Sequence, residues 1–402
     1  MQIKLTDSLL SVIGVVCGQL LFFLCLWFIG LNFGASQLGE FNLHLSIGMF
    51  LGTIFVFRYE LACISNSQNS SLNATSNVYL LSLIVTLILL LFSFMLYKDF
   101  SLTIIFSLSF LAVQTFINYL NSQRKYVYIG FFRVIINFCF LLFILFLYFW
   151  HYQDNLFEVY TALYFCLSFV LLAFILYKQY KSNIRLNFKF FIKENYRYPL
   201  YIFPATCCSS IYTYSLSILI PFWYGLSEAG YFAVAYKFGF FPIALLSQSI
   251  SGVFRRDMLS AVEISKKDAE NVYKVYMKYI FIASILYCVF GYLFSEWIIT
   301  LMFGEKWGNA VIYYKLMIPL FCIQLLYSPA SQLFLVFKKQ KIDFIVNFLL
   351  GITLVVLFIV NYFFKLDVVN LIILFVCISS FILVCNLYIT YRIVFKNDRI
   401  YY

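Results

Sequence analysis

The stretch Leu9–Leu31 reads LLSVIGVVCGQLLFFLCLWFIGL and holds no charged residue. At a helical rise of about 1.5 Å per residue it reaches across the roughly 30 Å hydrocarbon core of a bilayer. Inside that core a backbone N–H or C=O finds no water, so an apolar run this long satisfies its own backbone only as a helix. No small-residue cleavage signal follows it, and it reads as a retained first membrane helix, not as a signal peptide.

Similar runs recur along the 402-residue chain. The pattern predicts twelve spans, at 9–31, 41–63, 78–97, 100–120, 127–150, 156–177, 200–223, 229–251, 279–299, 316–337, 343–364 and 368–390. Those at 41–63 and 229–251 are the least uniform and carry charges. Composition agrees: 64% of residues are hydrophobic and 11% charged. A soluble chain carries about a quarter charged residues to cover its water-facing surface. A transmembrane barrel would alternate apolar and polar residues over strands of about ten, which the continuous runs exclude. The expected fold class is an all-α polytopic membrane protein.

Charge gives an independent test of the count. With the N-terminus in the cytoplasm, the inward segments hold 21 of the 28 basic residues and the outward segments 4, leaving Arg58, Arg133 and Lys237 within spans. That is the positive-inside bias, and it puts both termini in the cytoplasm. The net charge of +11 reflects this topology, and no soluble domain is present to carry nucleic acid. Two inward segments are longer than the rest. Lys178–Pro199 lies at mid-chain, where a linker between two halves would be; Gly252–Lys278 reads either as an amphipathic helix on the inner surface or as a solvated loop. The expected organisation is a six-helix bundle over 1–180, a basic cytoplasmic linker over 181–198 and a second six-helix bundle over 199–402.

An internal repeat supports two halves. Phe33-Gly34-Ala35-Ser36-Gln37-Leu38-Gly39-Glu40-Phe41-Asn42 aligns with Tyr224-Gly225-Leu226-Ser227-Glu228-Ala229-Gly230-Tyr231-Phe232-Ala233 at an offset of 191. Both stretches join the first two spans of a half, and both follow an odd-numbered span, so the halves share one orientation. Same-orientation halves are a transporter architecture.

The 11 cysteines lie in apolar runs, Cys207–Cys208 included, and read as small hydrophobes with no metal spacing. His44 and His151 have no partners at ligand spacing, and neither is assigned to a metal. There is no phosphate-binding glycine loop followed by lysine, and no nucleophile or paired-carboxylate constellation. The chain is therefore expected to be no enzyme, with no cofactor. A membrane glycosyltransferase or polymerase would have to account for the repeat and for the lack of a large outward loop.

Several of these residues carry a family resemblance. Leu38-Gly39-Glu40-Phe41, Gly48, Leu51-Gly52 and Arg58-Tyr59-Glu60-Leu61-Ala62 resemble the start of the polysaccharide-biosynthesis export family. So do Tyr198-Pro199-Leu200, Pro204, Glu228-Ala229-Gly230-Tyr231-Phe232, Ala235-Tyr236-Lys237, Pro242 and Gln248 in the second half. The family comprises bacterial O-antigen and capsule repeat-unit flippases, within a superfamily that includes multidrug and toxin extruders and the lipid II flippase. The resemblance implies two six-helix bundles forming a V around a central cavity in the bacterial inner (plasma) membrane. It also implies an undecaprenyl-pyrophosphate-linked oligosaccharide moved to the outer face by alternating access. Membrane lipids, the polymerase and the glycosyltransferases of the pathway are the implied partners. A related exporter, moving drugs or lipid II, is the alternative.

A charge inside a span is costly and is a functional hypothesis by default. Lys237 is expected to offer positive charge to the diphosphate; pairing within the bundle and snorkelling are its other readings. Arg133, near the start of the fifth span, reads as a substrate-entrance residue or a headgroup anchor. Arg58 reads as a first contact for the diphosphate or as a structural tie. Glu60 reads as a coupling carboxylate or an interfacial acid. Residues two apart do not face each other on a helix, so Arg58 and Glu60 are expected to have separate partners. Gln19, Gln114, Asn137 and Gln248 read as interhelical hydrogen-bond formers or as contacts for sugar hydroxyls. Tyr231 and Tyr236 are candidates for stacking on sugar rings, and Pro204, Pro221 and Pro242 for helix breaks.

Overall fold

The computed structural model describes residues 5–65, 67–96, 100–150, 156–182 and 186–396, without the side chains of 5–12, 92–96, 248 and 249. The assignment of His151 lies outside the described residues. The helices are α1 (Leu5–Asn32), α2 (Gly34–Ile54), α3 (Gln68–Leu96), α4 (Ser101–Ser122), α5 (Tyr126–Phe149), α6 (Leu156–Ser182) and α7 (Phe188–Glu194). They continue with α8 (Phe203–Tyr224), α9 (Leu226–Ile264), α10 (Lys266–Phe303), α11 (Gly308–Ala330), α12 (Leu333–Val336), α13 (Gln340–Phe364) and α14 (Val368–Lys396). All but α7 and α12 are long, and among the described residues 11 are long and apolar enough to cross a membrane. The other long helix, α2, falls short in hydropathy because Ser36, Gln37, Glu40, Asn42 and His44 crowd its first half. The protein is an all-α polytopic membrane protein.

Three expectations are corrected. The span predicted at 41–63 occupies Gly34–Ile54, and Tyr59–Cys63 is a separate 3-10 turn. Between them Phe57 (φ 51°) and Arg58 (φ 65°) are left-handed, which ends the helix at a cost of about 1–2 kcal/mol per residue. The third helix begins at Gln68, ten residues before the predicted 78, because its polar first turns continue the helix outside the apolar run. Gly252–Lys278 is not a loop but helical. It consists of the ends of α9 and α10, broken only at Ser265, whose hydroxyl accepts from the Asp268 amide at 3.1 Å. A serine cap satisfies an orphan N–H and starts α10 with no intervening loop.

Contacts divide the chain into two compact units: Met1–Ser210 with Ser217–Pro221, and Ile211–Leu216 with Phe222–Tyr402. In the first, α4 packs against α2, α3, α5 and α6, and α1 lies along α5. Phe41, Phe106, Phe140 and Tyr160 form its aromatic centre, with Phe140 and Tyr160 ring centroids 4.5 Å apart. The mid-chain basic stretch contributes α7, capped by Asn187 and docked through buried Phe191 on Tyr59. In the second unit α11 is central, against α9, α10 and α14, with Met317, Ile318, Leu320 and Phe321 fully buried.

The two repeat glycines share one conformation. Gly34 has φ +89° and Gly225 φ +91°, a region costly for any side chain, and each allows an abrupt start to the next helix. The repeat also extends further than its sequence match. Gly48 and Gly239 differ by the same 191 positions, and each receives a phenylalanine from its unit's central helix. A Cβ on Gly48 would lie 2.3 Å from Phe106 of α4, and one on Gly239 2.0 Å from Phe321 of α11.

Lipid is as apolar as leucine, so helices in a membrane associate by close packing. Gly14 and Gly18 on α1, four apart, serve that purpose: a Cβ on Gly14 would lie 2.4 Å from the Gly130 Cα of α5. Because that neighbour is backbone, Gly14→Ala is expected to force α1 and α5 apart and to destabilise the protein by roughly 1–3 kcal/mol. Gly252, inside α9, has open space around it. Gly252→Ala is expected to leave stability unchanged or raise it by up to about 1 kcal/mol. Thermal unfolding of the two variants in one detergent checks the contrast in sign.

Candidate functional site

In the first unit the left-handed turn at Phe57 and Arg58 decides the local chemistry. It reverses the chain, and the Arg58 guanidinium meets the Glu60 carboxylate at 2.8 Å. The expectation of separate partners is therefore corrected. The helical rule behind it does not apply, because the two residues are not on one helix. The turn is held from several sides. Phe57 packs edge-on against Phe203 with centroids 5.0 Å apart, Tyr59 lies against Phe191, and the Asn118 side-chain amide donates to the Glu60 carbonyl at 3.1 Å.

Only 3% of the Glu60 side chain is exposed, against 25% of Arg58. Glu60 Oε2 and Arg58 Nε are buried without hydrogen-bond partners. Burial pushes the Glu60 carboxyl above its ordinary value, and the nearby Arg58 charge opposes that shift. The result is a carboxylate–guanidinium pair with one free acceptor and one free donor, where the second helix ends.

Deeper in the same unit, half-buried Arg133 on α5 lies within electrostatic range of Tyr164 on α6. Its carbonyl accepts from the Asn137 amide at 3.2 Å, which also donates to the Gly18 carbonyl at 2.9 Å. Asn137 is thus interhelical glue between α1 and α5. Gln19 Oε1 is buried with no partner. Asn42, 1% exposed, has neither amide atom paired. Sequence reading missed Asn42; its signal was an asparagine inside the repeated Gly/Ser stretch. His44 Nδ1 bonds the Thr103 hydroxyl at 3.0 Å, a tie from α2 to α4.

In the second unit Lys237 is half-buried at the twelfth position of α9, about 16 Å of helical rise from its first residue. Tyr236 belongs to an aromatic ladder on the same helix, stacked 5.8 Å from Phe232 and 5.7 Å from Phe240. Tyr231 stands edge-on to Trp307, with centroids 5.3 Å apart. Both tyrosine rings thus have aromatic neighbours within the unit. Near Tyr236 lies Tyr212, whose hydroxyl accepts from Gln324 Nε2 at 3.3 Å, while Gln324 Oε1 is buried without a partner. Sequence reading missed Tyr212 and Gln324, because one tyrosine among 33 and a lone glutamine carry no periodic signal.

Gln248 lies on α9, its side chain outside the described residues. Pro221 and Pro242 lie inside α8 and α9, and Pro204 follows a π turn over Tyr198–Ile202 at the start of α8. Gln114 is half-buried on α4. Among the described residues no cluster of His, Cys, Asp or Glu could hold a metal ion.

Solved structures share this fold along nearly the whole chain. An inward-facing multidrug resistance MATE family transporter of the MOP superfamily aligns with a TM-score of 0.66 at 15% identity, over 94% of each chain. The lipid II flippase MurJ, in an inward closed conformation, aligns with a TM-score of 0.69 at 14% identity, over 98% of this chain and 89% of that one. The chain has the fold of these exporters. The MATE multidrug transporter DinF-BH aligns similarly, with a TM-score of 0.63 at 14% identity over 98% and 96%. A family model described as polysaccharide biosynthesis protein matches residues 156–312, across the junction of the two units. A search of curated proteins gives no significant match.

A carboxyl raised in the folded state favours folding while protonated, and that contribution is lost as pH climbs from the ordinary value of 4.5 through the folded one. Wild-type thermal stability is expected to fall over that window. Glu60→Gln, which cannot ionise, is expected to flatten the slope. An unfolding temperature measured from pH 4 to 8 for both proteins decides it, and parallel curves refute the assignment.

Proposed function

We propose that the chain is a flippase that moves an undecaprenyl-pyrophosphate-linked oligosaccharide from the cytoplasmic to the outer face of the bacterial plasma membrane by alternating access. The observation that carries this reading is Lys237 in the interior of α9. A lysine at the centre of a membrane helix costs about 2.5–3.5 kcal/mol, and such residues persist mostly where a path needs their charge. A diphosphate crossing hydrocarbon needs positive charge along its route. A lysine suits a passing ligand, because its compact, rotatable ammonium does not hold phosphate in a rigid bidentate fork.

Arg133, half-buried in the first unit, adds a second positive charge within a span. Arg58 supplies a third at the inner end of α2, where its unpaired Nε could donate to an arriving phosphate oxygen. The free amide capacity of Asn42, Gln19 and Gln324 suits sugar hydroxyls, which both donate and accept. The fold of exporters and the polysaccharide-biosynthesis match over 156–312 support the same reading. The polymerase and glycosyltransferases of the pathway would be its partners.

The test is translocation in sealed vesicles, with labelled undecaprenyl-pyrophosphate oligosaccharide placed on one face. Lys237→Ala is expected to lower the rate at least about tenfold, the effect of roughly 1.4 kcal/mol, and Lys237→Arg to retain more of it. Arg58→Ala and Arg133→Ala are expected to weaken transport less. Normal transport by all three alanine variants would remove these residues from the path. A folded wild type that moves no such lipid but moves lipid II or a cationic dye would replace the substrate with that of a related exporter.

A further inference from the structure

At the cytoplasmic end of the second unit, α10, α11 and α14 border a groove of about 450 Å3. Its position relative to the bilayer follows from α10. This helix has 38 residues, about 57 Å at helical rise, so it is far longer than the hydrocarbon core. From Tyr279 to Phe303 its only charge is Glu296, near the outer end, whereas its first turns carry Lys266, Lys267, Lys274 and Lys278. Lys274 and Lys278 therefore stand where the apolar run begins, at the level of the inner headgroups.

The two lysines are four residues apart and share one face of α10, and both line the groove. The Lys274 side chain is 61% exposed; its Nζ is 3.9 Å from Glu270 and 5.2 Å from the Phe395 ring centroid. Lys278 is exposed and makes no ion pair among the described residues. Beyond the lysines the lining is apolar, with Phe281 of α10, Leu326 of α11 and Leu387 of α14. Positive charge at headgroup level above an apolar wall matches an anionic head joined to an acyl chain. Basic pockets between membrane helices on the cytoplasmic side recognise such lipids.

We propose that this groove is a binding site for an anionic phospholipid of the cytoplasmic leaflet. The phosphate lies between Lys274 and Lys278, and an acyl chain runs along Phe281, Leu326 and Leu387. The site belongs to the second unit alone and does not depend on the transported substrate. Arg392, over the Tyr388 ring at 5.4 Å on α14, adds positive field at the same end, while Glu270 is the acid that competes for Lys274.

The test is native mass spectrometry of the full chain titrated with phosphatidylglycerol or with phosphatidylethanolamine. Phosphatidylglycerol is expected to bind more tightly. Lys274→Gln with Lys278→Gln is expected to weaken it about 30-fold, and Lys278→Gln alone about fivefold, leaving phosphatidylethanolamine unchanged. Lys338→Gln with Lys341→Gln removes equal charge elsewhere on the inner face and is expected to leave affinity within about twofold. Phe281→Trp places a reporter in the groove, and brominated phosphatidylglycerol is expected to quench it more than the brominated ethanolamine lipid. Equal affinity for the two lipids overturns the proposal. So does equal weakening by the two double variants, which would show diffuse surface attraction.

Discussion

In hydrocarbon a backbone amide finds no water and is satisfied chiefly by backbone groups of its own segment, and the helices of this protein are built around that constraint. It makes each apolar run a helix. It also removes water as the force that drives helices together, so their association rests on close packing. The glycines follow from this. Gly14 brings α1 against the backbone of α5, and Gly48 and Gly239 admit a phenylalanine from the central helix of each unit. The last two are equivalent positions of the repeat, so one packing solution is used in both units.

The same constraint governs charge. A charged side chain withdrawn from water must be paired, hydrated or placed where a ligand will meet it. Arg58 and Glu60 are paired, through a turn that holds two non-glycine residues in the left-handed region. Strained backbone of this kind persists where the surroundings over-determine it, here through Phe203, Phe191 and Asn118. The remaining donor capacity of Arg58 lies at the inner end of its helix, and Lys237 lies well inside α9.

Polar residues at the inner face have a different task. The ends of α9 and α10 meet in a helical hairpin that turns at Ser265. Buried Phe254, Met258, Ala269 and Tyr273 join Leu333, Phe334 and Ile393 in a core of its own. That core fixes the turn of α10 on which Lys274 and Lys278 stand, so the basic groove rests on rigid helices and not on a loop.

The sequence by itself determined the helical class, the order of the long apolar helices and the repeat of the Gly34 and Gly225 turns, and its charge bias set an expected orientation. Those properties depend on the length of apolar runs, the side on which lysine and arginine fall, and local backbone freedom, all of which are one-dimensional. Only the tertiary structure decided that Arg58 meets Glu60, that Gly14 faces Gly130, and that Gly48 and Gly239 each receive a phenylalanine. It also decided that Gly252–Lys278 is helix throughout except at one serine. Helical periodicity misled at Arg58 because two left-handed residues had already ended the helix, a conformation that neighbouring side chains impose and local propensity opposes. Glycine contacts stayed hidden because the same residue type that opens a turn also admits a neighbour, and only the partner helix distinguishes the two.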